Sequence, residues 1–199
     1  MLNRRTVIAS GLATLALGPN GAVAHDEASA SQPLPDELMP RIVNIQPGIP
    51  AGEIHVDPAR YALYWTLSDQ TAMRYSVGIG RPGLYEAGTF HVGAKKEWPS
   101  WTPTPDMIER DPEAYAEFAD GMPGGVDNPL GARALYLYTP ERGDTYLRIH
   151  GTNAPRTIGT AVSNGCARLV NEQIIELYEL VPVGTRVFLY PAPVTLGGV

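Results

Sequence analysis

The reading of "RALYLYTPERGDTYLRIHG", Arg133–Gly151, decides the fold. Its two runs, "RALYLYT" and "TYLRIHG", are rich in aromatic and aliphatic residues and are separated by Pro140, Gly143 and Asp144, so each reads as a short strand. The same signal recurs in "RIVNI", "GEIHVD", "RYALYWTL", "TAMRYSVGIG", "AGTFHVG" and "TRVFLY". Short strands at this spacing predict a mainly β chain, a single compact β-sandwich or barrel-like domain with a few short helices. The domain is expected over residues 42–192.

Two segments depart from the strand pattern. "NEQIIELYELV" places Ile174, Ile175, Leu177, Tyr178 and Val181 largely on one helical face, with Asn171 in position to cap the helix. The stretch over residues 95–131 is too long for an ordinary connection and reads as a lid or binding loop. Thr104 followed by Pro105 marks a short helix start within it. Trp98 and Trp101 belong to this insertion, either anchoring it to the domain or stacking on substrate.

The start of the chain bears on compartment. "MLNRR", the apolar run "TVIASGLATLALG" and the A-x-A site in "AVAH" predict a cleaved export signal over residues 1–24, with a flexible leader over 25–41. The apolar run is shorter than the roughly 20 residues that a membrane-spanning helix requires, so the mature chain is expected to carry no transmembrane segment. Arg4 and Arg5 are compatible with a twin-arginine route. Either route leads to the periplasm. The chain carries 15 basic and 21 acidic residues, and loss of Arg4 and Arg5 leaves 13 − 21 = −8. That balance argues against a nucleic-acid partner. The acidic residues between Asp106 and Asp120 read as a solvated face.

The chemistry is expected in "RIHGTNAPRTIGTAVSNGCARL", Arg148–Leu169, which contains the only cysteine. A thiol attacks a carbonyl well only as thiolate, so it needs a base and donors for the oxyanion. His150 ends an apolar strand and is the candidate base that ionises Cys166. Gly165 permits a tight turn, which assigns the oxyanion hole to the amides of Gly165 and Cys166, with Asn164 contributing. Arg168 lies two residues past the sulfur and shares its face on a strand, in position to lower the thiol pKa, bind a substrate carboxylate or pair with an acid. A lone cysteine is more often a small buried hydrophobe. An exported protein with one cysteine has no internal disulfide partner, however, and Ser, Asn and Gly flanks are unlike a core strand. His25, His55 and His91 show no ligand spacing with Cys166, so no metal is expected, and "VGIGRPG" lacks the features of a phosphate cradle. No cofactor is expected.

These residues resemble a known family. "IHGTN" from Ile149, Pro155, "IG" from Ile158 and the S-x-G-C-x-R pattern from Ser163 to Arg168 are similar to the signature of the L,D-transpeptidase catalytic domain, also called the YkuD domain. Two positions depart from it: Asn164 stands where the family often has His, and Ala167 where it usually has Ile or Val. The resemblance implies an enzyme of peptidoglycan acyl transfer. Cys166 would attack the carbonyl of the third stem-peptide residue, expel the terminal D-alanine and pass the thioester to an amine of another stem peptide or of a wall-attached protein. His150 would be base and then acid, the carbonyl of Gly151 would orient it, and Ser163, Asn153 and Arg168 would shape the substrate pocket. Two alternatives share the sequence features: a hydrolase using the same thioester, and a catalytically silent wall-binding domain.

Overall fold

A computed structural model describes residues 34–192. The export signal expected over residues 1–24 and the start of the expected leader lie outside the described residues. Eleven strands are present among them: β1 Arg41–Asn44, β2 Ile54–Asp57, β3 Ala62–Thr66, β4 Thr71–Ser76, β5 Ile79–Gly80, β6 Gly88–Glu97, β7 Arg133–Thr139, β8 Gly143–His150, β9 Ala161–Ser163, β10 Ala167–Arg168 and β11 Arg186–Leu189. Three helices accompany them: α1 Pro105–Arg110, α2 Pro112–Tyr115 and α3 Asn171–Leu180.

Nine strands form one mixed sheet in the order β1-β4-β3-β2-β11-β6-β7-β8-β10, and β5 pairs with β9 in a second, two-stranded sheet. The pairs β2–β11 and β8–β10 are parallel. The chain beyond β4 returns to the far edge of the large sheet, where Gly78 and Arg168 exchange two backbone hydrogen bonds of 2.9 and 2.8 Å. The sheet therefore closes on itself, so the chain is mainly β with a barrel-like closure.

Alternation explains which side chains enter the core. In β7, Leu135 and Leu137 are buried while Tyr136 and Tyr138 are half-buried, and in β8 Leu147 and Ile149 are buried around Arg148. Ile54, Val56, Leu63, Tyr75, Val92 and Val187 complete the same apolar cluster. Ile174, Leu177 and Val181 of the α3 segment are fully buried against it, each stabilising the fold by roughly 1.5–3 kcal/mol.

Three sequence expectations shift. "TAMRYSVGIG" divides into β4 and β5 because the chain leaves the large sheet at Val77 and Gly78 to meet β9. Strand β6 runs to Glu97, paired with Arg133 of β7, so the long insertion begins at Trp98 rather than at Lys95. Lys95 is held in β6 because its Nζ donates to the carbonyls of Tyr178 and Val181 at the end of α3, where the helix dipole favours a cation. Asn171 is the first residue of α3 instead of its cap, and makes no capping hydrogen bond. Its Oδ1 accepts from the amide of Ala132 at 2.9 Å, and a Cβ on either Gly131 or Gly151 would lie 2.3 Å from that oxygen. Glycine at 151 is thus required by close approach of a neighbour.

Asn171→Ala leaves the buried Ala132 amide without its acceptor and is expected to lower unfolding free energy by about 1–3 kcal/mol, read as a lower urea midpoint. An unchanged midpoint would show that the tie carries no stability.

Candidate active site

His150 is the last residue of β8. Counting back by two from it, Arg148 and Tyr146 fall on the side away from buried Ile149 and Leu147, and all three line one open cleft of about 540 Å³. The opposite wall comes from the turn between β9 and β10. Strand β10 runs parallel to β8 with Ala167 opposite Ile149 and Arg168 opposite His150, which carries Cys166 to the level of Arg148. Ala167 is buried in the core, while Cys166 and Arg168 on either side of it both line the cleft. The backbone N–H of Arg148 donates to the Cys166 sulfur.

The turn that presents Cys166 is held by one hydroxyl. Ser163 Oγ donates to the Cys166 carbonyl at 2.6 Å and accepts from the Gly165 amide at 3.3 Å. The Gly165 amide, expected in the oxyanion hole, is bonded to Ser163 Oγ in this structure. The Cys166 amide has no acceptor among the described residues. Gly165 has φ +122°, a conformation that disfavours a side chain, and a Cβ on Gly80 would lie 2.8 Å from the Gly165 Cα. The glycine-rich "VGIGRPG" thus serves as the floor beneath the Cys166 turn.

Asn164 also differs from expectation. Its Oδ1 accepts from Arg81 at 2.7 Å and from Arg110 of α1 at 2.9 Å, and its Nδ2 donates to Tyr115 Oη of α2 at 2.9 Å. The side chain joins the long insertion to the cysteine turn, with one of its two Nδ2 protons given to Tyr115. A histidine there has only two ring nitrogens and cannot serve three partners in this way. Asn153 donates to the Asp127 carbonyl at 2.8 Å and is absent from the cleft lining; it fastens the loop after β8 to the insertion. Trp101 packs against Tyr115 and Phe118 and lines the cleft, whereas Trp98 is 44% exposed and lies outside it.

Arg168 is buried in part, and its Nε and one terminal nitrogen have no hydrogen-bond partner among the described residues. Gly78 lies beside this guanidinium, and a Cβ there would stand 2.9 Å from the Thr157 carbonyl oxygen. Arg148, by contrast, is spent on Asp144 through two bonds of 2.6 and 2.8 Å and lies 3.9 Å over the Tyr136 ring. Sequence reasoning missed Arg148, although its position two residues before His150 on a strand was the available signal. Arg81, Arg110 and Tyr115 gave no local signal, since they reach the site from distant segments. Among the described residues no group of three or more His, Cys, Asp or Glu side chains is arranged to hold a metal ion.

The carbonyl of Gly151 lies 2.6 Å from His150 Nδ1. A carbonyl only accepts, so Nδ1 is the donor in this contact, and a second backbone carbonyl, that of Leu130, also interacts with the ring. Burial pushes the His150 pKa down to about 3, and the guanidinium groups of Arg168 and Arg148 push it the same way. Burial pushes the Cys166 thiol up, against the Arg148 amide and the two nearby arginines. Burial thus favours the uncharged form of both side chains. Between pH 6.5 and about 3 the unfolded chain protonates His150 while the folded chain does not. Stability should therefore fall by up to about 1.4 kcal/mol per pH unit on acidification through that window. Urea unfolding at stepped pH checks this: His150→Gln should flatten that part of the slope, and an unchanged slope would contradict the buried neutral ring.

Comparison with known proteins gives a concordant result. Residues 51–189 match the family model described as YkuD, L,D-transpeptidase catalytic domain. A protein of Fuscovulum blasticum, whose name places an L,D-transpeptidase in the ATP synthase subunits region (ORF 5), is 37% identical over 199 residues, covering 94% of this chain and 96% of the relative. YbiS of Escherichia coli K12, also named as an L,D-transpeptidase, is 42% identical over 133 residues, covering 66% of this chain. The match takes in 42% of YbiS, so the chain spans less than half of that relative. A crystal structure of a Brucella melitensis protein named as a carnitine operon oxidoreductase is 45% identical, with a TM-score of 0.54, covering 76% of this chain and 93% of that one. With its closed mixed sheet, its cysteine and histidine on one cleft and a family match over most of its length, the chain belongs to the L,D-transpeptidase catalytic-domain family.

Proposed function

We propose that the protein is a cysteine-dependent L,D-transpeptidase acting outside the cytoplasm on peptidoglycan stem peptides. The observation that carries this reading is the pairing of Cys166 and His150 on one cleft, with the Gly151 carbonyl fixing the imidazole as a base. In the first step His150 Nε2 takes the thiol proton as the sulfur forms a bond to the carbonyl carbon of the third stem residue. Coupling proton transfer to attack suits two groups that are both neutral at rest, because no isolated charge is left in a desolvated site. The tetrahedral oxyanion faces the Cys166 amide, and Arg168, with unpartnered nitrogens, is placed for a substrate carboxylate.

Collapse of that intermediate breaks the peptide bond to D-alanine, whose nitrogen receives the proton from His150, and leaves a thioester on Cys166. An amine then attacks the thioester, giving up a proton to His150 and restoring the thiol. Ser163 positions the turn, Asn164 and Asn153 hold the insertion beside it, and Gly151 orients the base. The insertion contributes Trp101, Met107 and Tyr115 to the cleft, which limits access of water and favours an amine acceptor.

The test is to incubate the chain with purified tetrapeptide muropeptides and weigh the products. Cross-linked dimers with release of D-alanine are expected, and Cys166→Ala should remove at least about 10³ of the rate while remaining folded. Tripeptide monomers alone would identify water as the acceptor. Unchanged material, or full turnover by Cys166→Ala, would refute the reading.

A further inference from the structure

Tyr146 is in an unusual position for a bulky residue. It lies inside β8 with φ +63°, in the left-handed region that aromatic side chains avoid, yet it is 71% exposed, so no core packing of its own ring holds it there. The distortion is built by its neighbours. Tyr138 pairs with Asp144 and Tyr136 with Arg148, so that Leu137 of β7 faces the three residues Thr145, Tyr146 and Leu147 of β8. Asp144 Oδ1 accepts from the Tyr146 amide at 2.9 Å and from Arg148 at 2.6 Å. Thr145 Oγ1 donates to the Leu137 carbonyl at 2.7 Å and accepts from the Leu147 amide at 3.3 Å. Thr145 and Leu147 are both buried, and the residue between them is thereby thrown outward.

The strained ring is delivered to the rim of the cleft that holds Cys166, two positions from Arg148, whose guanidinium lies 6.0 Å from it. Arg148 is held by Asp144 and Tyr136, so it is not free to meet a ligand, whereas the Tyr146 ring, with Arg148 over one face, is largely exposed. Backbone strain persists where surrounding structure over-determines it, and it collects at sites whose geometry serves binding. We infer that Tyr146 is a substrate-contact residue: the bulge holds its ring at the cleft rim to pack against the aliphatic part of the bound stem peptide, at a cost in stability. This inference rests on the transpeptidase reading for the identity of the ligand.

Three substitutions separate contact from strain. Asn tolerates φ > 0 and lacks the ring, so Tyr146→Asn should raise Tm by roughly 2–4 °C while raising KM for tetrapeptide muropeptide about tenfold with kcat little changed. Tyr146→Phe keeps both ring and strain and should match the parent in Tm and KM. Tyr146→Gly should raise KM like Asn with a smaller gain in Tm, because glycine loses more freedom on folding. In parallel, the affinity of the same muropeptide for Cys166→Ala chains with and without Tyr146→Asn is measured by calorimetry, expected to differ by about tenfold. Turnover by the parent with an unchanged KM and affinity in Tyr146→Asn would overturn the Tyr146 inference alone. Absence of turnover with the affinity difference intact would overturn the enzyme reading alone, and absence of muropeptide binding in Cys166→Ala would overturn both. A lower Tm in Tyr146→Asn would refute the claim of strain.

Discussion

The parallel register of β8 and β10 is the constraint on which the rest of the site depends. Because Arg168 stands opposite His150 and Ala167 opposite Ile149, Cys166 comes level with Arg148 and faces the cleft while its neighbour enters the core. A slip of one residue would send the sulfur inward and Ala167 to the cleft. The register is held at both edges of β10, by β8 on one side and by the Gly78 backbone on the other. The same two pairings close the sheet and place Cys166.

The sequence made the strand content, α3, and the union of His150 and Cys166 legible, because each is a local pattern: alternation, helical spacing, or a glycine-flanked cysteine. What it hid are ties between distant segments. Asn171 is indistinguishable from a helix cap by position, and only the approach of Gly131 and Gly151 turns its side chain to Ala132. Asn164 looks like a loop amide beside a nucleophile, and its three partners come from residues 81, 110 and 115. The bulge at Tyr146 leaves no mark in "DTYLRIH", since the residues that force it are ordinary strand formers.

Burial favours the uncharged forms of both Cys166 and His150. In water a histidine near a cysteine invites an ion pair, but the His150 environment is desolvated and carries two arginines, which oppose a positive imidazole. The arginines and the Arg148 amide lower the energy of a developing thiolate, so charge is favoured on sulfur and disfavoured on the ring. In the proposed reaction, proton transfer in step with attack would satisfy both. The buried His150 ring, with its lowered pKa, contributes acid sensitivity to the fold, as does buried His55.

The central claim is that Cys166 becomes acylated during turnover. Intact-protein mass spectrometry after brief mixing with tetrapeptide muropeptide, quenched in acid, tests it most directly. The account predicts an adduct equal to the donor less D-alanine, located on Cys166 by peptide mapping. Turnover with no adduct at any mixing time and no dependence on the sulfur would contradict it.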